Sequence, residues 1–323
     1  MLRGDVTDRQ DRAARIVTSC PACGSSRQAP ELRAEDTYSR EVFEVVRCQA
    51  CRLAYVNPRP APEHLERYYP HDYYGARHPI FKDYLADLRV RALGPGPPGA
   101  RLLDIGCGRG DFILACRRKG WRVNGVEQAN SLVMRLRETL GIEVVTPEAI
   151  PTLPNGAFDF VTLWHVLEHL PEPRESLREV ARLLKPGGRL LVEVPNFGSW
   201  QAHLGRAHWH HMDVPRHLLH FDRAALAALL ARAGFTPERW HTFSLEYDTF
   251  GLAQTVLNRL CTNPNHLFRL LIGRPTGRSR RDTLVSFALL APVGLVAAAI
   301  SLVAPLAGRG GVLRVIARKE ARA

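Results

Sequence analysis

The first fifteen residues, Met1–Arg15, lack any apolar run of the roughly 7–15 residues that a secretory signal needs. The expectation is a chain kept in a reducing cytosol, where close cysteine pairs serve metals before disulfides. Acid is also short: 32 Asp and Glu against 44 Lys and Arg leave a net charge of +12. That balance suits an anionic partner, either nucleic acid or a membrane face. The segment Cys20–Cys51 nevertheless has no concentrated Lys/Arg stripe interleaved with aromatics, which argues against nucleic acid. A composition of 46% hydrophobic and 24% charged residues excludes the disordered classes, and 323 residues allow one large α/β domain with a small appendage. Charge is missing altogether from the 26 residues of Thr283–Gly308.

Four of the seven cysteines form two C-x-x-C pairs, Cys20/Cys23 and Cys48/Cys51, 24 residues apart. Small or polar residues between the members of each pair let two thiolates converge on one ion. A structural zinc held by all four is the leading reading, beside a redox pair or two disulfides. Such a site is coordinatively closed, so its expected use is docking or lid formation. Glu41–Arg47 is expected to be a strand entering the second pair. Cys107, Cys116 and Cys261 are expected to be small buried hydrophobes. Tyr68, Tyr69, Tyr73 and Tyr74 either line a substrate pocket or pack this module onto the domain that follows.

The richest stretch is Arg101–Asp111, an apolar strand running into Gly106-Cys107-Gly108-Arg109-Gly110 and then a helical pattern. Alternate glycines permit a tight turn and bare amide groups at a helix N-terminus, where a polar ligand can lie against the backbone. The spacing is G-x-G-x-G, tighter than the dinucleotide fingerprint. Asp104, Gly106, Cys107, Gly108 and Gly110 are therefore candidate cofactor residues. Trp121–Glu127 is expected to be the next strand, ending in an acid placed to accept both hydroxyls of a ribose; Gln128 follows it. Glu148, after Thr146-Pro147, is the acid nearest the expected adenine position.

From about Tyr74 to Lys319 the chain resembles a class I methyltransferase. Phe158–Leu170 resembles that family's fourth strand and the turn after it, and Leu177–Gly188 its helix and LKPGG turn. Arg189–Asn196 resembles the fifth strand. The residues agree independently: Leu177, Val180, Leu183 and Leu184 share one helical face, and Pro186-Gly187-Gly188 cannot continue it. Asp222 is the expected N-cap of a helix over Arg223–Ala233, stopped at Gly234, with a strand near Arg239–Ser244 and a last one over Val312–Lys319. The expected fold class is α/β: a seven-stranded Rossmann-like sheet with a small N-terminal zinc ribbon and a hydrophobic helical insert between strands six and seven. The expected division is a ribbon and linker at 1–73 and a methyltransferase domain at 74–323, with the insert at 245–310. The resemblance implies S-adenosylmethionine as cofactor.

Two histidine groups are candidates for the acceptor side. His165, Glu168 and His169 fall on one face if their turn is helical. Related quinone methyltransferases place an acid where His165 stands and use it for Mg²⁺; imidazole is a poor ligand for that ion. The stretch His203–His220 holds six of the thirteen histidines within 18 residues, in the loop expected after the fifth strand. Its Asp-x-Pro-Arg-His piece, Asp213–His217, resembles a motif of zinc-ribbon methyltransferases of the sugar and cell-envelope type. A base with a pKa near neutrality suits deprotonation of an acceptor, so His217, His211 and His165 are the candidate catalytic groups.

Thr283–Gly308 is flanked by Arg274, Arg278, Arg280 and Arg281 on one side and Arg309 on the other. Pro292-Val293-Gly294 and Pro305 are expected to break it into a re-entrant or interfacial hairpin at a membrane, with a buried helical pair or a homodimer face as the alternatives. The expected function is S-adenosylmethionine-dependent methyl transfer to a small-molecule, glycan or lipid-linked acceptor at the cytoplasmic membrane face. RNA base methylation and a non-catalytic scaffold are the competing readings.

Overall fold

The computed structural model describes residues 14–69, 82–97, 99–273 and 279–320. Tyr73, Tyr74, Arg274 and Arg278 lie outside them. In chain order the main elements begin with strands β1 (Gln28–Glu35), β2 (Val42–Cys48) and β3 (Ala54–Val56) and helix α1 (Lys82–Leu93). An alternation follows: β4 (Arg101–Ile105), α2 (Asp111–Arg118), β5 (Arg122–Val126), α3 (Asn130–Leu140), β6 (Glu143–Val145), β7 (Phe158–Trp164), α4 (Pro173–Leu183) and β8 (Leu184–Pro195). Then come α5 (Trp200–Gly205), β9 (Leu219–His220), α6 (Arg223–Arg232), β10 (Phe235–His241), α7 (Thr249–Asn258), α8 (His266–Leu271), α9 (Arg280–Val303) and β11 (Val312–Lys319).

Two compact units emerge. One comprises Ala76–Val194, Ala227–His241 and Leu313–Ala323. It carries the seven-stranded sheet, in the order β10-β11-β8-β7-β4-β5-β6. Pairs β8–β7, β7–β4, β4–β5 and β5–β6 are parallel, and β10–β11 is antiparallel. The order reverses between β4 and β7, and in such sheets ligands bind at the carboxyl ends of the strands beside that reversal. The expected strand near Arg239–Ser244 starts earlier, at Phe235, because Gly234 at φ 79° lets the chain leave α6 directly into pairing with Lys319. Asp222 caps as expected, its Oδ1 accepting from the Ala225 amide at 2.8 Å.

The other unit comprises Met1–Gly75, Pro195–Leu226 and Thr242–Val312. A four-stranded sheet, β9-β3-β2-β1, takes its last strand from the histidine-rich loop. Phe197, Ala202, Trp209, Met212 and Val214 of that loop region pack with Ala34, Val45, Ala54 and Val56 of the ribbon. Tyr68 belongs to this packing, edge-on to Phe43 with its hydroxyl donating to Glu41 at 2.7 Å. At the centre, fully buried Arg216 donates to Asp36 at 2.6 Å, to Asp213 at 2.7 Å and to the Tyr68 carbonyl at 2.7 Å. Its guanidinium and that of Arg269 both lie over the Tyr38 ring.

The insert departs from its expected form. α9 runs unbroken for 24 residues with Pro292 inside it, so no hairpin forms there. Proline removes one amide donor, but Asp282, Ser286, Ala297 and Ser301 form one buried stripe that spans the proline. Breaking the helix at Pro292 would separate Asp282 and Ser286 from Ala297, which packs on Leu252 and Ala253 of α7.

Replacing Arg216 by Leu leaves Asp36 buried without its cation, at a cost of roughly 3–5 kcal/mol. Hydrogen exchange in R216L is expected to speed up across residues 36–48, while the amides of β4, β5 and β7 stay protected. An unchanged exchange pattern would show that the buried pair does not hold this unit together.

Candidate functional site

In the sheet-bearing unit, β4 ends in three glycines at positive φ: Gly106 at 74°, Gly108 at 54° and Gly110 at 84°. Each has its own reason. A Cβ on Gly106 would lie 2.4 Å from Val166 Cγ2, and one on Gly110 2.5 Å from Leu136 Cδ2. Gly108 meets nothing within 4 Å, so it is the backbone conformation that excludes a side chain there. Amides of Gly106 and Cys107 both donate to the Val126 carbonyl, at 2.8 and 3.0 Å, which folds the loop back over β5. Cys107 is buried; its thiol packs where a Cβ on Gly125 would come within 2.8 Å of Sγ. Burial pushes that thiol up, away from any nucleophilic role.

Glu127 stands at the end of β5, almost wholly buried. Its carboxylate accepts from the Gly108 amide at 2.7 Å and from the Ala129 amide at 3.0 Å. One acid therefore fixes the apex of the glycine loop and the entry to α3 together. Asp104 is buried beside it and accepts from the Thr162 hydroxyl at 2.6 Å. Burial pushes its carboxyl up to about 7, against the pull of Arg89, so a cationic ligand would favour its charged form. Gln128 is exposed. Glu148 is exposed too, at the start of a 3-10 turn, and a hydrogen bond from Thr146 holds its carboxyl low.

His165 is not on a helix. It adopts φ 53° just before a single 3-10 turn, Leu167–His169. The expected meeting with Glu168 still occurs, at 3.3 Å from Nδ1. Nε2 lies 3.0 Å from Glu193, an acid that sequence reasoning missed. Burial would raise the Glu193 carboxyl, but the His165 hydrogen bond and the Arg314 charge hold it at about 2. Arg314 pairs with Glu193 at 2.5 Å and lies over the Trp164 ring, as does Arg89. The available signal was an acid inside the apolar run of β8 opposite an arginine inside β11; neither residue alone announces a partner.

In the other unit the four ribbon thiols converge. Cys20 and Cys51 Sγ are 3.6 Å apart, Cys23 and Cys48 likewise, and all four lie within 4.8 Å of one another. Tetrahedral zinc with Zn–S bonds of about 2.3 Å needs S···S edges of about 3.8 Å. The four fit that ion, whereas disulfides require sulfurs roughly 2 Å apart. In the histidine-rich loop, His217 Nδ1 donates to the His211 carbonyl at 2.8 Å, which leaves the lone pair on Nε2. His211 packs against Trp209, His210 and Tyr247. Burial holds His210 below the ordinary histidine range, against the pull of a 2.7 Å contact with Asn265.

A sequence profile of the family described as "Methyltransferase domain" matches residues 76–239, half of the chain. The chain belongs to this methyltransferase family. Over 128 residues it is 37% identical to a ubiquinone biosynthesis O-methyltransferase of Xanthomonas campestris, covering 38% of this chain and 51% of that one. A protein of the same name from Alkalilimnicola ehrlichii is 34% identical over 125 residues, 36% and 49% of the two chains. The chain spans about half the length of the curated relatives it matches. A solved SAM-dependent methyltransferase from Archaeoglobus fulgidus is 22% identical, with a TM-score of 0.47 over 73% of this chain and 94% of that one.

Two outcomes test the site of this methyltransferase. Glu127→Ala is expected to weaken S-adenosylmethionine binding by about 2–4 kcal/mol, the value of two charge-assisted hydrogen bonds, with unchanged calorimetric affinity as the contrary result. Purified protein is expected to carry about one zinc, lost on changing any of Cys20, Cys23, Cys48 or Cys51 to Ser. Metal analysis that finds folded, zinc-free protein would remove the ribbon assignment.

Proposed function

We propose that the chain is an S-adenosylmethionine-dependent methyltransferase that works at the cytoplasmic face of a membrane on a small-molecule acceptor carrying a lipid portion. The observation that carries the reaction is the Glu127 carboxylate anchored to the Gly108 amide at the carboxyl end of β4. Gly106, Gly108 and Gly110 offer a backbone cradle beside the N-terminus of α2, Glu127 would hold a ribose, and Asp104 would face the cationic part of the cofactor. When bound, S-adenosylmethionine supplies a methyl group already activated on sulfonium. The chain's own task is then alignment and, for a hydroxyl acceptor, removal of one proton.

His217 is the proposed base. Its burial and its Nδ1–H donation give the tautomer that accepts a proton at Nε2. His211 supplies the carbonyl that fixes this tautomer, and His165 is held between two carboxylates as a positioning group.

The acceptor's lipid portion rests on α9. Leu284, Phe287, Leu295, Leu302 and Leu306 face outward, while the buried stripe of the same helix is Asp282, Ser286, Ala297 and Ser301. That polarity is inverted from what water selects. The curated relatives are named for O-methyl transfer in ubiquinone biosynthesis, which supports an amphipathic acceptor of that type. An RNA acceptor is disfavoured because Arg33, Arg40 and Arg47 of the ribbon are paired with Glu44, Glu35 and Glu31.

Purified enzyme given S-adenosylmethionine and a membrane-lipid extract is expected to add 14 mass units to a lipid-soluble compound (the mass of CH₂, about 14). His217→Ala is expected to lower turnover by about 10²–10⁴ with cofactor affinity intact. Methylation of RNA alone from the same cells would overturn the acceptor class, and full turnover in His217→Ala would remove the base.

A further inference from the structure

α9 is long enough to cross a bilayer: 24 residues at 1.5 Å each make about 36 Å. Both of its ends, however, are bonded into one folded unit. At the first, the Ser279 hydroxyl caps the Asp282 amide, and the Asp282 carboxylate accepts from the amides of Thr262 and Asn263 at 3.1 and 3.0 Å. At the second, the Thr242 hydroxyl donates to the Pro305 carbonyl, the Arg309 guanidinium donates to the Gly198 carbonyl at 2.9 Å, and the Trp200 amide donates to the Arg309 carbonyl at 3.1 Å. Between them Ala297, Val293 and Ile300 pack on Leu252 and Ala253 of α7. α7 also buries Gln254, Thr255 and Asn258, which are hydrogen-bonded within the unit: Gln254 to Asn258 at 2.8 Å and Asn258 to Asn265 at 3.0 Å. A spanning helix would have to drag one of these ends, with its polar partners, through hydrocarbon.

The outward face is one stripe along the helix. Leu284, Leu295 and Leu302 of α9, and Leu306 of the 3-10 turn that follows it, are each more than 70% exposed at nearly helical spacing. Arginines frame it. Arg259, Arg280 and Arg281 are exposed at one end, where Arg259 bonds the Leu204 carbonyl and Arg281 the Leu260 carbonyl. Arg309 is exposed at the other, beside half-exposed Trp200. The single acid of α9, Asp282, is fully buried and pairs with one nitrogen of the exposed Arg281 guanidinium at 3.4 Å.

We infer that α9 is a monotopic anchor lying in the plane of one leaflet, its leucine stripe among acyl chains and the arginines at its two ends bound to anionic phospholipid headgroups. This rests on the membrane reading above and adds to it an orientation and a lipid class. A helix held flat by cations at both ends keeps its whole apolar stripe at one depth, whereas a spanning helix places its middle deepest.

A fluorescent amino acid introduced at Leu284, Leu295 or Leu306 of the full chain reads this directly in vesicles whose lipids carry bromine either near the headgroup or near the chain end. All three positions are expected to be quenched alike, and better by the shallow bromines. Deep quenching at Leu295 with shallow quenching at the other two would overturn the in-plane orientation. Binding to phosphatidylcholine–phosphatidylglycerol vesicles is expected to exceed binding to phosphatidylcholine alone, and each of Arg281→Glu and Arg309→Glu to reduce that excess by about fivefold or more. Equal binding to both vesicle types would overturn the lipid class. If wild-type protein floats with neither vesicle and sediments as a dimer that Leu295→Glu dissociates, the stripe is an interface between copies and the membrane reading itself fails.

Discussion

The ligand side of the sheet depends on one backbone amide, that of Gly108, and on the carboxylate that receives it. Left-handed conformations at three alternate glycines cost L-residues about 1–2 kcal/mol each, before the clashes with Val166 and Leu136 that a Cβ would add. Only glycine makes the turn, and a bare glycine turn is soft. Glu127 stiffens it: its two oxygens tie the loop apex to the start of α3, so the loop and the strand-end acid hold their shape as one piece. Every cofactor group proposed here is positioned by that pair or by the strand ends that carry it.

A buried ion cluster performs the corresponding task in the ribbon-bearing unit. Arg216 donates to Asp36 and Asp213 without contact with solvent, and such clusters seldom add stability over an apolar core of the same volume. What they select is one arrangement, because any other leaves a charge buried and alone. Here the arrangement brings the loop segment Asp213–His217 against the ribbon, and it fixes the backbone next to His217. A zinc ion on the four thiols would give a short, small-cored sheet the rigidity needed to hold a loop from elsewhere in the chain.

The glycine loop, Glu127, the strand alternation and the two cysteine pairs were legible because each depends on local chemistry: a turn that excludes Cβ, an acid at a strand end, thiols at ligand spacing. Glu193, Arg314 and Arg89 were not legible, since their roles arise from two strands and a helix, distant in sequence, becoming neighbours around Trp164. The turn after β7 misled for a related reason. Spacing of i and i+3 does bring His165 to Glu168, but a left-handed residue and a 3-10 turn achieve it in place of a helix. The place of residues 195–226 and 242–312 within the ribbon-bearing unit also lay beyond the sequence; it arises from β9 pairing, from the packing of Phe197 and Trp209 on the ribbon, and from Arg216 and Arg269 over the Tyr38 ring.

Pro292 shows how magnitudes decide between local and tertiary preference. Proline inside a helix costs about 3 kcal/mol, and local reasoning therefore breaks the segment there. Full burial of one Leu or Phe side chain contributes about 1.5–3 kcal/mol, and eight large apolar side chains of this segment are exposed between Leu284 and Leu306. In water alone that exposure has no compensation, and a helix bent back at Pro292 would hide part of it. The segment instead stays helical, turning Ser286, Ala297 and Ser301 inward and Leu284, Leu295 and Leu302 outward. A straight stripe is favoured when the medium outside is itself apolar, since there the exposed face gains what the proline loses. On the proposed membrane reading, the continuity of α9 through its proline and the inverted polarity of its two faces have one cause, an apolar medium against the leucine face.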